Sequence, residues 1–398
     1  MISAFGDTAV ALCAVGAEKT VSNEIKKLGL TVIESGFGRV SFKAGQAGQA
    51  RKAGPDDLYR ALIGLRAADR VLLETVKFHA SDFDALFEET RRFPWENYIP
   101  SRMGLKVSKV RTNRSRLAAE TSIQAVVHKA AAERLCAKRG INRLPENGDE
   151  AELRVYIEKD EASVLLDLSG EPLFKRGYRT SGGIAPLRET TAAAIIIGSL
   201  WRRKFPLYDP FCGSGTIAIE SALYAWDIAP GLGRRFALEN LLIGDKETGR
   251  RIREEFLEKV DFSRLVRIGG SDSDAAMIAA ARANMERALT LVSKKVAKAP
   301  SFKLLPMEEA CPAELAGAGE EPGFIITNPP YGRRLGDAES AEKTYAAMKC
   351  LAGNFPGWKL ALISDHPGFE SFFGRKADSC REITNGAICT YLYQYDRL

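Results

Sequence analysis

The sequence predicts an α/β protein whose C-terminal part is an open, doubly wound sheet ending in an antiparallel hairpin, preceded by two smaller α+β units. Three features predict it. Residues 207–223 read as strand, glycine-rich turn and helix; residues 324–331 read as an apolar strand stopped by two prolines; and Asn385-Gly386 joins two β-rich runs near the end. The first two are strand ends of the kind where open α/β sheets hold ligands. Asn-Gly between β-rich runs is a strong short-range hairpin signal.

The elements follow in order. Residues 1–54 hold a strand, a helix over 17–28 and two strands around Glu34 to Arg39, closing in the glycine-rich stretch 44–48. Residues 55–179 alternate: helix 56–67, strand 70–78, helix 82–93, strand 103–109, an amphipathic helix 118–139, and strands near 152–157 and 163–168. Residues 180–398 begin with an apolar helix over 192–200, too short to span a bilayer and better buried beneath a sheet. The glycine turn, a helix over 275–289, the proline-stopped strand, helix 340–351, strand 358–364 and the terminal hairpin complete this unit.

The strand ends carry the chemistry. At Asn328-Pro329-Pro330-Tyr331 two prolines can continue neither a ladder nor a helix, so Asn328 and Tyr331 stand at the strand's carboxyl end. An exocyclic base amine is a poor nucleophile because its lone pair is delocalised into the ring. It improves when acceptors hold its hydrogens. The Asn328 side-chain oxygen and the Pro329 carbonyl are two such acceptors, and Tyr331 offers a ring for a flipped-out base. Alone, the tetrad also fits a proline-rich turn after a core strand.

Upstream, Asp209-Pro210-Phe211-Cys212-Gly213-Ser214-Gly215-Thr216 ends a short strand and opens a helix. It lacks the third glycine of the dinucleotide fingerprint and the Gly-Lys-Ser/Thr of a phosphate loop, so neither a nicotinamide cofactor nor ATP is favoured. A further strand ends at Asp272-Ser273-Asp274, where an acid accepts hydrogen bonds from ribose hydroxyls in such folds.

This ordered set resembles the class I S-adenosylmethionine-dependent methyltransferases that modify amino groups. Phe174 to Arg179, Ala185 to Thr190 and Ile228 to Leu232 narrow the likeness: the chain is similar to bacterial RNA guanine-N2 methyltransferases with an N-terminal THUMP domain. The resemblance implies a ferredoxin-like unit over 1–54, a THUMP unit over 55–179 and a class I (Rossmann-like) methyltransferase domain over 180–398. It implies methyl transfer from S-adenosylmethionine to guanosine N2 in 23S rRNA, with tRNA as the nearest alternative acceptor. Asn328, Pro329, Pro330 and Tyr331 would hold the base. Asp209, Pro210, Cys212, Gly213, Ser214, Gly215 and Thr216 would border the cofactor with Asn328, and Asp272, Ser273 and Asp274 its ribose. Relatives commonly place an acid after the third strand near the adenine amine. Here Pro306 stands there, and Glu308 is the substitute. That replacement leaves room for an RNA-binding or assembly factor that keeps the fold but little activity.

RNA contacts are expected from Lys109, Arg111, Arg114 and Arg116, in a segment dense in cations and hydroxyl or amide donors. Lys175, Arg176 and Arg179 form a second cluster at the join between units, with Tyr178 able to stack or pack. Arg333 and Arg334 follow the tetrad directly. The net charge of +6 over 398 residues makes a local basic patch the expectation rather than a uniformly basic surface. Seven cysteines without a Cys-x-x-Cys pair, and histidines only at 79, 128 and 366, predict neither a disulfide framework nor a metal site. Cys212 reads as a small residue in a tight place. No basic segment followed by a cleavable apolar core opens the chain, so a cytoplasmic, membrane-free location is expected; the oligomeric state stays open.

Overall fold

A computed structural model describes residues 7–44, 54–179, 187–265, 267–290, 299–315, 321–331 and 337–398. The N-terminal half runs β1 (Thr8–Cys13), α1 (Glu18–Lys27), β2 (Thr31–Gly36), β3 (Arg39–Lys43), α2 (Pro55–Gly64), β4 (Ala68–His79), α3 (Phe83–Arg92), β5 (Gly104–Asn113), α4 (Glu120–Arg139), β6 (Glu150–Glu158) and β7 (Glu161–Asp167). These strands form one sheet in the order β2-β3-β1-β4-β7-β6-β5, parallel only between β5 and β6. The long strand β4 joins the two units: its first half pairs with β1 and its second half with β7, across a register shift between Glu74 and Val76. The sheet therefore continues past residue 54.

The boundary difference that moves candidate site residues is at β5. The strand expected to stop at residue 109 continues to Asn113, because a register shift between Val107 and Lys109 turns Val110 into the core. Arg111 and Asn113 then lie opposite Tyr156 and Glu158, on an edge strand rather than in a loop. Such charged edges discourage unwanted strand pairing, and they also present cations in register.

The C-terminal half holds α5 (Glu189–Gly198), β8 (Leu207–Asp209), α6 (Thr216–Ala225), α7 (Lys246–Glu258), β9 (Ile268–Asp272), α8 (Ala275–Thr290), β10 (Ser301–Leu304), β11 (Phe324–Thr327), α9 (Asp337–Ala347), α10 (Cys350–Asn354), β12 (Lys359–Ser364), α11 (Phe369–Phe373), β13 (Ser379–Asn385) and β14 (Ile388–Tyr395). Its sheet order is β10-β9-β8-β11-β12-β14-β13, parallel throughout except for the antiparallel β14 and β13. The order reverses direction at β8, so the carboxyl ends of β8, β9 and β11 border one crevice. The hairpin turns at Asn385-Gly386 with Gly386 at φ +66°, as the sequence predicts.

The two halves are tightly joined. Main-chain and side-chain hydrogen bonds of about equal length, 3.0 Å each, tie Val15 to Thr384 of the terminal hairpin. A side chain at Gly16 would strike the Glu382 carbonyl oxygen at 2.0 Å, so only glycine allows this approach. A second aromatic core of Tyr345, Phe355, Phe369, Phe373, Tyr393 and Tyr395 packs behind β11 and β12 and supports the proline-stopped strand.

Candidate active site

The glycine turn is shaped by two different demands. Gly213 (φ +49°) and Gly215 (φ +85°) both lie in the left-handed region. At Gly215 a side chain would press on Ala281 at 3.0 Å and Phe302 at 3.1 Å, so this glycine lets α6 begin close to α8 and β10. Beside Gly213, a Cβ would meet nothing within 4 Å; this part of the backbone faces open space. Cys212 is buried, its amide donating to the Ser271 carbonyl at 2.9 Å, while Gly270 leaves no room for a Cβ against Cys212. Burial and the charges of Asp209 and Asp272 push the thiol far above its ordinary range, which suits a packing residue and not a nucleophile.

Two aspartates hold the turn. Asp272 accepts the Gly213 amide at 2.9 Å through one oxygen and the Asp274 amide at 3.0 Å through the other. A carboxylate has further lone pairs beyond these two bonds. Asp209 is 1 % exposed and accepts the Thr327 hydroxyl at 2.6 Å and the Phe211 amide at 3.1 Å. It thus links the start of the glycine turn to the last residue of β11, immediately before Asn328. Sequence reasoning missed Thr327, whose signal was only a hydroxyl in an otherwise apolar strand.

Burial pushes the Asp209 carboxyl up to about 7; the hydrogen bonds oppose the rise and the neighbouring Asp272 adds to it. Between its ordinary value and about 7, the folded protein holds a proton that the unfolded chain has released, so stability falls as pH rises through that window. Asp209→Asn keeps an acceptor for Thr327 and Phe211 but removes the titration. Its stability loss between pH 5 and pH 8 should be smaller than the wild type's by about 2 kcal/mol. Urea unfolding at both pH values measures this; parallel behaviour of the two proteins would exclude Asp209 as the titrating group.

At the end of β11, Asn328 is half-buried and its side-chain oxygen accepts the Tyr331 hydroxyl at 2.6 Å. The Pro330 carbonyl accepts from Tyr345 at 2.8 Å, and Tyr345 also meets Ser364 at 3.1 Å. Tyr345 lies beyond any local motif, and only the fold brings it under the tetrad. Pro306 leads a single helical turn over Met307–Glu309, and Glu308 is exposed there, with its carbonyl accepting from Asn354 at 2.8 Å.

The basic residues separate into groups. Lys109, Arg111, Arg114 and Arg116 gather at the outer end of β5, Arg111 facing Glu120 at 3.0 Å. Lys175 is exposed beside Glu171 at 2.8 Å. Arg176 is a correction: it is 2 % exposed, donates to the Leu173 and Arg66 carbonyls at 2.7 and 2.5 Å, and approaches Glu220 at 3.5 Å. A guanidinium so enclosed has no face left for phosphate. Arg179 is corrected likewise, since it donates to the Thr216 hydroxyl at 2.6 Å and the Leu187 carbonyl at 3.1 Å, and pairs with Glu189 at 3.5 Å. Tyr178 packs, fully buried, with its hydroxyl on Glu220 at 3.1 Å. Arg333 and Arg334 lie outside the described residues. Among the described residues no group of His, Cys, Asp and Glu is placed to hold a metal, and no helix is long and apolar enough to cross a membrane.

The sheet order, the glycine turn facing open space, the acid closing β9 and the tetrad closing β11 define a class I S-adenosylmethionine-dependent methyltransferase. Residues 176–394 match the family model described as the RMKL-like methyltransferase domain, residues 8–72 the RlmL ferredoxin-like domain and residues 80–167 the THUMP domain. The chain belongs to the RMKL-like methyltransferase family. It is 34 % identical over 390 residues to "Putative RNA methyltransferase YpsC" of Bacillus subtilis (strain 168), covering 98 % of this chain and 95 % of that one. It is 32 % identical over 394 residues to the "Ribosomal RNA large subunit methyltransferase K/L" of Syntrophotalea carbinolica, covering 96 % of this chain but 52 % of that protein. The chain thus spans about half the length of that K/L relative. Among solved structures, SMU.472 complexed with SAH superposes with a TM-score of 0.84 at 34 % identity, covering 99 % of each chain.

Proposed function

We propose that this RNA methyltransferase transfers a methyl group to the exocyclic N2 of a guanosine, most naturally in 23S rRNA, in the cytoplasm. The observation that carries the reading is the tetrad: a half-buried amide oxygen, oriented by Tyr331 and adjoining the Pro329 carbonyl, at the crevice that Asp209 and Gly213 border. S-adenosylmethionine supplies an electrophilic methyl on a sulfonium when bound. The chain's own residues do the rest. An amide oxygen has two lone pairs, so Asn328 can keep the Tyr331 hydroxyl and still accept one amine hydrogen while Pro329 accepts the other. Holding both hydrogens would orient the nitrogen and localise its lone pair for the incoming methyl, the surplus amine proton being released to solvent after transfer, and no covalent enzyme intermediate is needed. Asp272 is assigned to the ribose hydroxyls, with Ser273 and Asp274 beside it. The turn from Pro210 to Thr216 would border the methionine portion, and Glu308 would serve the adenine amine. Asp209 acts from beneath, positioning the turn against β11. Three functional units, over 1–54, 55–179 and 180–398, are proposed, with β4 shared between the first two.

The family matches and the K/L relative support the ribosomal acceptor; the tetrad supports an amino group as nucleophile. The test is transfer of labelled methyl from S-adenosylmethionine to 23S rRNA, tRNA and duplex DNA, followed by nucleoside analysis. N2-methylguanosine from rRNA is expected. N6-methyladenosine, or product only from tRNA, would reassign the acceptor, and no product from any substrate would favour a binding or assembly role.

A further inference from the structure

The tetrad that closes β11 has two prolines in a row, so neither Pro329 nor Pro330 has an amide hydrogen with which the sheet could hold it. The paired register of β11 with β12 ends at Thr327 and Leu362, and the tetrad leaves the sheet beside Ile363 and Ser364. Acceptors that must meet two amine hydrogens need placing to within about 0.5 Å. A tie from outside the ladder has to supply that.

Tyr345 makes such a tie. It stands on α9, the helix that follows the tetrad in the chain, fully buried, and its hydroxyl donates to the Pro330 carbonyl at 2.8 Å. A phenol has one hydrogen, so the contact with Ser364 at 3.1 Å runs the other way, the buried serine hydroxyl donating to the tyrosine oxygen. The Ser364 oxygen in turn accepts the His366 amide at 3.1 Å. These groups form a chain with one direction, from the His366 main chain through Ser364 and Tyr345 to Pro330, in which each bond polarises the next. Burial pushes the Tyr345 hydroxyl above its usual range, which keeps it a donor.

The helix is fixed to the end of β12 a second time. One turn before Tyr345, Glu342 meets His366 Nε2 at 3.4 Å, while His366 Nδ1 accepts the Gly368 amide at 3.1 Å. The Tyr345 ring lies edge-on to His366 and Phe369, with centroids 5.7 and 5.1 Å away. Packing sets the ring, and the hydroxyl acts on the tetrad. Because the proline ring fixes φ, a bond that holds the Pro330 carbonyl also limits how the preceding peptide plane, which carries the Pro329 carbonyl, can turn. Tyr331, whose hydroxyl reaches Asn328 at 2.6 Å, follows directly from that same carbonyl. Both proposed amine acceptors depend on one bond.

We propose that Tyr345 is a positioning residue for methyl transfer, its hydroxyl, backed by Ser364, holding Pro330 so that the Asn328 and Pro329 oxygens converge on the amine. The proposal rests on the role assigned to the tetrad above and adds what orients it.

The test uses the full chain and its Tyr345→Phe and Ser364→Ala variants, with single-turnover transfer to 23S rRNA at saturating cofactor, calorimetry with S-adenosylhomocysteine, and urea unfolding. Tyr345→Phe keeps the ring contacts and should slow the transfer step about tenfold, with S-adenosylhomocysteine affinity and KM for RNA changed by less than about twofold. Ser364→Ala keeps the bond to Pro330 but removes the donor behind it, and should slow transfer less, by about threefold. Added to Asn328→Ala, Tyr345→Phe should cost less than it does in the wild type, because one of the two acceptors it orients is already gone. Wild-type transfer by Tyr345→Phe with a lowered urea midpoint would show a core residue only, and an equal loss in both backgrounds would show that it does not act through the tetrad; either result overturns the proposal. Slow transfer by Asn328→Ala beside wild-type transfer by Tyr345→Phe sinks the positioning role alone, whereas wild-type transfer by Asn328→Ala sinks the role of the tetrad and this proposal with it.

Discussion

Asn328→Ala should slow methyl transfer by ~10²-fold, the loss typical of deleting one well-placed polar group, while leaving S-adenosylhomocysteine affinity nearly intact. The asymmetry follows from position. Asn328 sits just past β11, beyond the buried contact between Asp209 and Thr327 that holds the glycine turn, so its side chain can be removed without disturbing that turn. What disappears is the proposed acceptor for the amine and the group that the Tyr331 hydroxyl reaches at 2.6 Å. Tyr331→Phe separates the two roles. It keeps the ring and the Asn328 acceptor but frees the amide to rotate, and should cost less than Asn328→Ala. Single-turnover transfer to rRNA, with calorimetry for the cofactor product, measures both variants. Near-wild-type turnover by Asn328→Ala would remove the residue from the reaction.

The parts of this site that could be read from the sequence are those fixed by local geometry. Two prolines must end a strand, and a glycine at left-handed φ must mark a tight turn, so Asn328 and Gly213 were visible without any fold. Thr327 and Tyr345 were not, because their partners, Asp209 and the Pro330 carbonyl, lie far away or on the main chain. The extension of β5 was hidden for a related reason. A register shift between Val107 and Lys109 breaks the alternation that marks a strand, so the basic residues beyond it read as a loop. Charge patterns misled in the opposite direction. Lys175, Arg176 and Arg179 are close in sequence and look like one basic patch, yet only Lys175 is exposed.

Arg176 gives this difference its largest measurable consequence. Its guanidinium joins three segments of chain: it donates to the nearby Leu173 carbonyl and to the Arg66 carbonyl, and lies beside Glu220, which also accepts from Tyr178. Arg66 in turn donates to the Ile228 carbonyl at 2.6 Å, and the Arg66 and Ala67 amides, each at 3.0 Å, bind Glu24 of α1. Two buried acids and two buried bases therefore hold the N-terminal sheet against the first helices of the catalytic half. Removing one member leaves an uncompensated charge and orphaned carbonyls in a dry interior. Arg176→Met, which fills most of the volume, should cost about 3–5 kcal/mol of stability. A residue whose work was to grip RNA would behave in the reverse way, weakening RNA binding with the unfolding transition unmoved. Denaturant unfolding and RNA anisotropy on the same variant decide between them: a large fall in midpoint is expected, and an unchanged midpoint with weakened binding would return Arg176 to the RNA surface.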